Sequence, residues 1–187
     1  MMSNPHYFIA IKLPQRLKEQ LSRWQESLKT AVSYKQWPHR DDLHITLKFL
    51  GDVDDEKIKE LHQKLTELTL LKSFYTTVES IGTFGSKERP RVVWAGVHLT
   101  KSLSFLQKKV EELAAEIGFL NDSRTYSPHI TLAKKWNGPA NEEMLTNILQ
   151  EIKEEVFSLF INEVVLYEIH PKRNPKYKVL YNYRLGE

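Results

Sequence analysis

The chain has 187 residues, of which 41% are hydrophobic and 27% charged, and its net charge is +3 at pH 7. This composition supports the core of one domain or of two small lobes, and it excludes an intrinsically disordered chain. The absence of cysteine excludes disulfides, thiolate metal ligands and a cysteine nucleophile.

The first half of the chain is predicted to contain three strands and two helices. Residues 7–13 are rich in strand-forming side chains and end at Pro14, which suits the start of a helix. Two later stretches carry apolar residues at helical spacing: Leu17, Leu21, Trp24 and Leu28, then Ile58, Leu61, Leu65 and Leu68. The pattern predicts strands at 7–13, 43–50 and 74–84, helices at 14–30 and 52–71, and loops at 31–42 and 85–90.

The second half repeats this order of elements. The same signals predict a strand at 91–99, a helix at 102–117, a strand from residue 128, a helix at 140–155 and a strand at 157–169. A last strand, 177–185, follows a loop rich in proline and basic residues. We therefore predict a single bilobal domain over residues 1–187, with pseudo-repeats at about 6–85 and 91–185.

One tetrapeptide stands in the middle strand of both halves. It is His44-Ile45-Thr46-Leu47 in the first half and His129-Ile130-Thr131-Leu132 in the second, 85 residues later. Because successive side chains of a strand point to opposite faces, the histidine and threonine share one face and the two apolar residues are buried on the other. A third triplet, His98-Leu99-Thr100, lacks these flanks, and we interpret it as a strand end followed by a helix cap.

The pattern predicts an α+β fold with two pseudo-symmetric lobes. Each lobe is a small, mostly antiparallel sheet backed by helices, because the motif strands are buried on one face and open on the other. The open faces of the two sheets then meet across an active-site cleft, which is a common place for a ligand.

Two histidines on opposite walls of a cleft suit acid–base catalysis on a phosphodiester. Imidazoles titrate near neutrality, so one can accept a proton from water while the other donates one to the leaving oxygen. Thr46 and Thr131 can donate hydrogen bonds to the non-bridging oxygens as charge develops at phosphorus. The scheme needs no metal or cofactor, and zinc held by His44 and His129 is disfavoured because the motifs contain no carboxylate or thiolate.

Several stretches resemble the two-histidine (2H) phosphoesterases, and within them the bacterial and archaeal RNA 2′,3′-cyclic phosphodiesterases, also called 2′-5′ RNA ligases. The resemblance covers nearly the whole chain: residues 8–14 (FIAIKLP), Trp37, residues 43–51 (LHITLKFLG), 90–97 (PRVVWAGV) and 128–134 (PHITLAK). The chain departs from the family pattern at three positions, where the family commonly has arginine, serine and arginine: Lys134, Ile169 and His6.

The resemblance implies hydrolysis of a 2′,3′-cyclic phosphate at an RNA end to a 2′-phosphomonoester, and ATP-independent joining of RNA ends. It also implies that His44 is the proton donor to the leaving 3′ oxygen and His129 the proton acceptor acting on water. The expected substrates are RNA ends or cyclic nucleotides. Lys134, Tyr126 and Tyr177 are further candidates for substrate binding, the tyrosines by stacking on a base.

Other interpretations stay open at this point. The chain can be a non-catalytic RNA-binding protein that retains the cleft, or a phosphodiesterase for small cyclic nucleotides such as ADP-ribose cyclic phosphate. The basic loop at 172–178 either holds RNA phosphates or is a solvated charged loop. His44 and His129 as core histidines are disfavoured, because both stand in equivalent elements. The N-terminal segment shows no basic region followed by a long apolar run, and no apolar stretch approaches about 18 residues, so we expect a cytoplasmic protein that does not contact the membrane. We also expect it to be a monomer.

Overall fold

The computed structural model describes residues 5–86 and 89–187, and this part of the chain contains nine strands and four α-helices. The first half forms β1 (His6–Lys12), α1 (Gln15–Ala31), β2 (Tyr34–Gln36), β3 (His44–Asp52), α2 (Asp55–Leu65) and β4 (Phe74–Gly85). The second half forms β5 (Pro90–Val97), α3 (Lys101–Glu116), β6 (His129–Trp136), α4 (Glu142–Lys153), β7 (Val156–Ile161), β8 (Glu163–Ile169) and β9 (Tyr177–Arg184). Short 3-10 helices lie at Arg40–Asp42 and Thr66–Leu70.

The strands form two antiparallel sheets, which confirms the predicted α+β fold. One sheet has four strands in the order β3-β1-β8-β9, and the other has five in the order β2-β6-β5-β4-β7. Helix α3 packs on β3 and on α2, whereas α1 packs on β6 and α4 packs on β4. Each sheet is therefore backed by its own pair of helices.

The two halves of the chain exchange strands between the sheets. Strand β4 belongs to the first half but pairs with β5 in the five-stranded sheet. Strand β8 belongs to the second half but pairs with β1, where Phe8 lies opposite Tyr167. The sequence repeats therefore do not coincide with the lobes. The two sheets nevertheless correspond strand by strand: the order β3-β1-β8-β9 in one sheet matches the order β6-β5-β4-β7 in the other.

Several predicted boundaries differ from the structure. The sequence predicts one strand over 157–169, but β7 and β8 are separate strands in different sheets, because a continuous apolar run carries no signal for the change of sheet at Asn162. The predicted helix at 52–71 leaves α-helical geometry after Leu65. The loop predicted at 31–42 contains the three-residue strand β2. Residues 87–88 of the loop predicted at 85–90 lie outside the described residues.

The apolar side chains fill one large core and one small cluster. The large core lies between the sheets and the helices, and the predicted apolar face of α1 is buried in it. The small cluster, formed by Phe8, Ala10, Val165 and Tyr167, lies on the opposite face of the four-stranded sheet. Strand β1 is thus buried on both faces and is a rigid support for β3 beside it. Within the described residues, no helix is both long enough and apolar enough to cross a bilayer.

Candidate active site

The two motif strands, β3 and β6, come from different sheets and pack against each other. Beside them lies a cavity of about 380 Å³, whose walls include His44, Thr46 and Thr131. His129 shares the strand face of Thr131, and its charge acts on His44. The structure therefore brings both copies of the motif together at one site.

Each motif strand contains a β-bulge directly after its threonine. In β3, Thr46 lies opposite Ala10 but Lys48 lies opposite Ile9. Leu47 between them is therefore an extra residue without a partner in β1. In β6, the same shift falls between Thr131 and Ala133. Both residues after each threonine are consequently buried, which interrupts the alternation that the sequence predicts.

The bulges decide which later side chains reach the cavity. Strict alternation places Ala133 on the face of His129 and turns Lys134 away from it. Because the bulge inserts one residue, Lys134 returns to that face and lines the cavity, as does Phe49 at the equivalent position of β3. Lys134 therefore lines the same cavity as His44, and its contact with substrate stays a prediction.

A polar contact with the helix behind the strand holds each bulge. Gln25 of α1 donates from Nε2 to the carbonyl of Leu132, at 2.9 Å, and to that of Pro38, at 3.0 Å. At the other bulge, Lys48 Nζ donates to Glu111 Oε2 of α3, at 2.6 Å, and to the carbonyl of Leu120, at 2.8 Å. These buried groups are hydrogen-bonded, so the bulges are fixed features of the site.

Both histidine rings have the same orientation. Nδ1 of His44 lies 2.6 Å from the carbonyl of Asp42, and Nδ1 of His129 lies 2.8 Å from the carbonyl of Ser127. A carbonyl only accepts hydrogen bonds, so Nδ1 carries the proton in each ring and a neutral ring presents Nε2 as an acceptor. At His44, the Thr46 hydroxyl lies 3.0 Å from Nε2 and donates to it when the ring is neutral.

Aromatic rings surround both histidines. Phe8 lies 4.7 Å and Tyr177 5.3 Å from His44 between ring centroids, and Phe84 lies 4.9 Å and Trp94 6.2 Å from His129. Because burial disfavours the charged ring, it lowers the pKa of His129 and lowers that of His44 to about 4. In the free protein at pH 7, both rings are therefore neutral and offer Nε2 as a base.

Three groups further adjust the pKa of His44. The hydrogen bond to the Asp42 carbonyl and the negative charge of the Asp42 carboxylate both raise it, whereas the positive charge of Lys134, and that of His129 when its ring is protonated, lower it. For His129, the one counteracting influence among the described residues is the hydrogen bond to Ser127. The two histidines are thus alike in geometry but differ in the charge around them.

Two lysines give the cavity a positive wall. Lys134 and Lys176 both line it, and neither lies within 4.0 Å of a carboxylate among the described residues. Burial lowers the pKa of the Lys134 ammonium, and the nearby charge of Lys176 lowers it further. Two adjacent cations without a carboxylate partner favour a bound anion.

The other predicted substrate-binding residues differ in their placement. Tyr177 lines the cavity, at the start of β9. Tyr126 is not part of the cavity wall, and its hydroxyl donates to the carbonyl of Thr46 at 3.1 Å, which ties the segment before β6 to β3. A role of Tyr126 in substrate binding therefore stays a prediction without a contact that favours it. Ile169, where the resemblance points to serine, lines the cavity as an apolar residue.

Asp42, Phe49 and Lys176 are among the residues of the cavity wall that sequence reasoning did not single out. Lys176 belongs to the predicted basic loop, but the sequence does not indicate which of the loop's cations reaches the cavity. Phe49 is found only once the bulge in β3 is known. Among the described residues, no group of three or more His, Cys, Asp or Glu side chains is placed to hold a metal ion.

The sequence is similar to those of known phosphoesterases. The model of the LigT like phosphoesterase family matches residues 11–94 and 97–177. The chain is 35% identical over 182 residues to a Geobacillus stearothermophilus protein named RNA 2′,3′-cyclic phosphodiesterase, which covers 96% of this chain but only 57% of that protein. A Bacillus subtilis protein of the same name is 31% identical over 97% of both chains.

A solved structure has the same fold over the whole chain. The crystal structure of Escherichia coli LigT complexed with 3′-AMP superposes with a TM-score of 0.78 at 27% identity, covering 98% of this chain and all of the other. These matches confirm the resemblance drawn from the two motifs. The chain belongs to the LigT-like phosphoesterase family.

Proposed function

We propose that this protein hydrolyses 2′,3′-cyclic phosphates at RNA ends to 2′-phosphomonoesters. The observation that carries the proposal is the pair of Nδ1-protonated histidines on equivalent strands that pack together, with two threonines and two lysines in the wall of the cavity that His44 lines. The names of the two bacterial relatives, and the 3′-AMP bound to the E. coli structure, support a nucleotide substrate. We further propose that the protein acts as a cytoplasmic monomer.

The first half of the proposed reaction is activation of water. Nε2 of His129 is the acceptor in the neutral ring, so it takes a proton from water as the water oxygen attacks phosphorus. The lowered pKa of His129 keeps this ring neutral at pH 7. Negative charge then develops on the non-bridging oxygens, where Thr46 and Thr131 donate hydrogen bonds and Lys134 and Lys176 supply positive charge.

The second half is departure of the 3′ oxygen. The bond between phosphorus and this oxygen breaks, and His44 donates a proton from Nε2 to the alkoxide, which leaves a 3′-hydroxyl and a 2′-phosphate. Burial opposes a charged His44 in the free protein, so the proton must be held with substrate present, when the anionic phosphate raises the pKa of the ring. This assignment of donor and acceptor follows the family resemblance.

The same groups can join RNA ends. If the 5′-hydroxyl of a second RNA takes the place of water, attack on the cyclic phosphate and loss of the 3′ oxygen give a 2′-5′ linkage without ATP. The proton leaves the 5′-hydroxyl for His129 and reaches the 3′ oxygen from His44, as in hydrolysis.

The test is turnover of an oligoribonucleotide that ends in 2′,3′-cyclic phosphate, followed by separation of the products. We expect a 2′-phosphomonoester, and we expect the rate to be unchanged by EDTA because no step requires a metal. Binding of the oligonucleotide without turnover would instead establish a non-catalytic RNA-binding protein. A much higher kcat/KM on ADP-ribose cyclic phosphate than on the RNA end would establish a phosphodiesterase for small nucleotides.

A further inference from the structure

Asp42 is a buried carboxylate whose partners are backbone amides. It lies in the short helix before β3 and is only 5% exposed. Its Oδ1 accepts hydrogen bonds from the backbone N–H of Lys176 and of Tyr177, both at 3.0 Å, and its Oδ2 lies 2.9 Å from the Lys176 nitrogen. Within the described residues, no cation lies within 4.0 Å of this carboxylate. Burying a charge costs free energy of folding, so a charged side chain used as an anchor here calls for a functional explanation.

The same residue also contacts the first histidine. Its backbone carbonyl accepts the hydrogen bond from Nδ1 of His44, at 2.6 Å. The two residues that its carboxylate holds both line the cavity, and the ring of Tyr177 stands edge-on to that of His44. Asp42 therefore joins the ring of His44 to the C-terminal wall of the cavity.

The second motif has no such residue. Ser127 occupies the equivalent position, two residues before His129, and its carbonyl accepts from Nδ1 in the same way. Ser127 is exposed, and it carries no charge. The two motifs are identical over four residues, but the residue two positions before the histidine is Asp42 in one and Ser127 in the other.

We propose that Asp42 is a positioning residue for the reaction proposed above, and that it makes the two equivalent histidines unequal. Its carboxylate fixes Lys176 and Tyr177 against the cavity, and its carbonyl orients His44. This inference rests on the proposed function.

The charge of Asp42 has a second effect on His44. The groups that face this ring are the Asp42 carboxylate, the Lys134 ammonium, the imidazole of His129, and the uncharged rings of Phe8, Tyr167 and Tyr177. Asp42 is the negative charge among them, so it favours the protonated ring that the donor needs. Among the described residues, no carboxylate acts in this way on His129.

The test compares Asp42→Ala and Asp42→Asn with Asp41→Asn, the neighbouring carboxylate, which faces Lys18 and His39 instead. We expect Asp42→Ala to raise KM about tenfold or more, because the backbone of 176–177 is released. Asp42→Asn keeps one acceptor oxygen, so it should recover much of that loss. In both variants, the pH above which kcat falls should move down, because the ring of His44 loses its proton more easily without the carboxylate.

A second measurement separates positioning from a general loss of stability. Hydrogen exchange of the Lys176 and Tyr177 amides should be fast in Asp42→Ala, intermediate in Asp42→Asn and slow in Asp41→Asn and the parent. If both Asp42 variants match Asp41→Asn in KM and pH profile, the inference is wrong. If Asp42→Ala does not fold, Asp42→Asn decides by the same comparison. A parent protein without turnover overturns the proposed function instead, and the exchange rates then still decide whether Asp42 anchors the loop.

Discussion

Phe49 and Lys134 occupy the same position in the two motif strands, five residues after the histidine, and both line the cavity. One strand therefore presents an aromatic ring where the other presents a cation. If the protein acts as proposed, we expect the side with Phe49 to bind the nucleobase and the side with Lys134 to bind the phosphate. The two residues are accordingly expected to respond differently to substitution.

Replacing Phe49 with alanine should weaken binding of nucleotide substrates without destabilising the protein. The side chain is 60% exposed and lines the cavity, and stacking on a base contributes about 1–3 kcal/mol. We expect KM to rise by about tenfold or more and kcat to change little. Phe105→Ala is the matched control, because this side chain is also 60% exposed but lies on α3, outside the cavity wall. Equal kinetics for the two variants would contradict a stacking role.

Removing either cavity lysine should weaken binding of the phosphate. A hydrogen bond to a charged group contributes about 1.5–3 kcal/mol, so we expect Lys134→Ala and Lys176→Ala each to lower kcat/KM by about 10- to 100-fold. Lys134→Arg should keep most of the activity because it keeps the charge. The control is Lys172→Ala, since this exposed lysine of the same basic loop does not line the cavity. A Lys172 variant as impaired as the Lys176 variant would mean that the loop acts only through its total charge.

Substitution of either motif histidine should abolish most of the catalysis. Each proton transfer typically contributes about 10²- to 10⁴-fold, so His44→Ala and His129→Ala should each lower kcat by such a factor. The control is His98→Ala in the third His-x-Thr triplet. There, Thr100 accepts from the Leu103 amide and caps α3, as the sequence predicts, and His98 is exposed. Full activity in a His44 or His129 variant would overturn the mechanism.

The stability of the protein should fall as the pH falls below the ordinary pKa of histidine. Burial lowers the pKa of both His44 and His129 from 6.5, to about 4 for His44, so the unfolded chain binds protons that the folded chain does not. The free energy of unfolding is therefore highest above pH 6.5 and decreases towards pH 4. Urea unfolding at several pH values checks this. His44→Gln should show a weaker pH dependence and His98→Gln an unchanged one, and identical curves for both would contradict the assignment.

Gly82 should be required for the aromatic wall behind His129. A Cβ atom at this position overlaps the six-membered ring of Trp94, which lies across β4 and next to His129. We expect Gly82→Ala to lower the free energy of unfolding by about 1–3 kcal/mol and to reduce kcat by shifting Trp94. Gly138→Ala is the control, because no atom of the described residues lies within 4 Å of a Cβ there. Thermal unfolding and turnover of the two variants decide the matter.

The sequence predicts the part of the fold that depends on periodic burial. Spacing of apolar residues predicts the four helices, and alternation predicts strands whose histidine and threonine share a face. The repeated tetrapeptide is sufficient to predict two related sheets. These features are local, so a single sequence contains the information for them.

The rest depends on contacts between distant residues. The bulges after Thr46 and Thr131 are set by pairing with neighbouring strands, and without them neither the burial of Lys48 nor the role of Phe49 follows from alternation. The contact of Asp42 with Lys176 spans 134 residues and leaves no periodic signal. The apolar run at 157–169 likewise does not indicate that its two parts enter different sheets.

The exchange of strands between the halves has a consequence for how the molecule is assembled. Strand β1 is flanked by β3 and β8. Phe8 and its partner Tyr167 are roughly 160 residues apart, so the four-stranded sheet cannot form until the C-terminal part of the chain has been synthesised. A ribosome-bound first half exposes an apolar strand edge that it cannot cover by itself. Fragments divided in the connection between β4 and β5 should therefore be insoluble when made singly, yet regain turnover when they are refolded together.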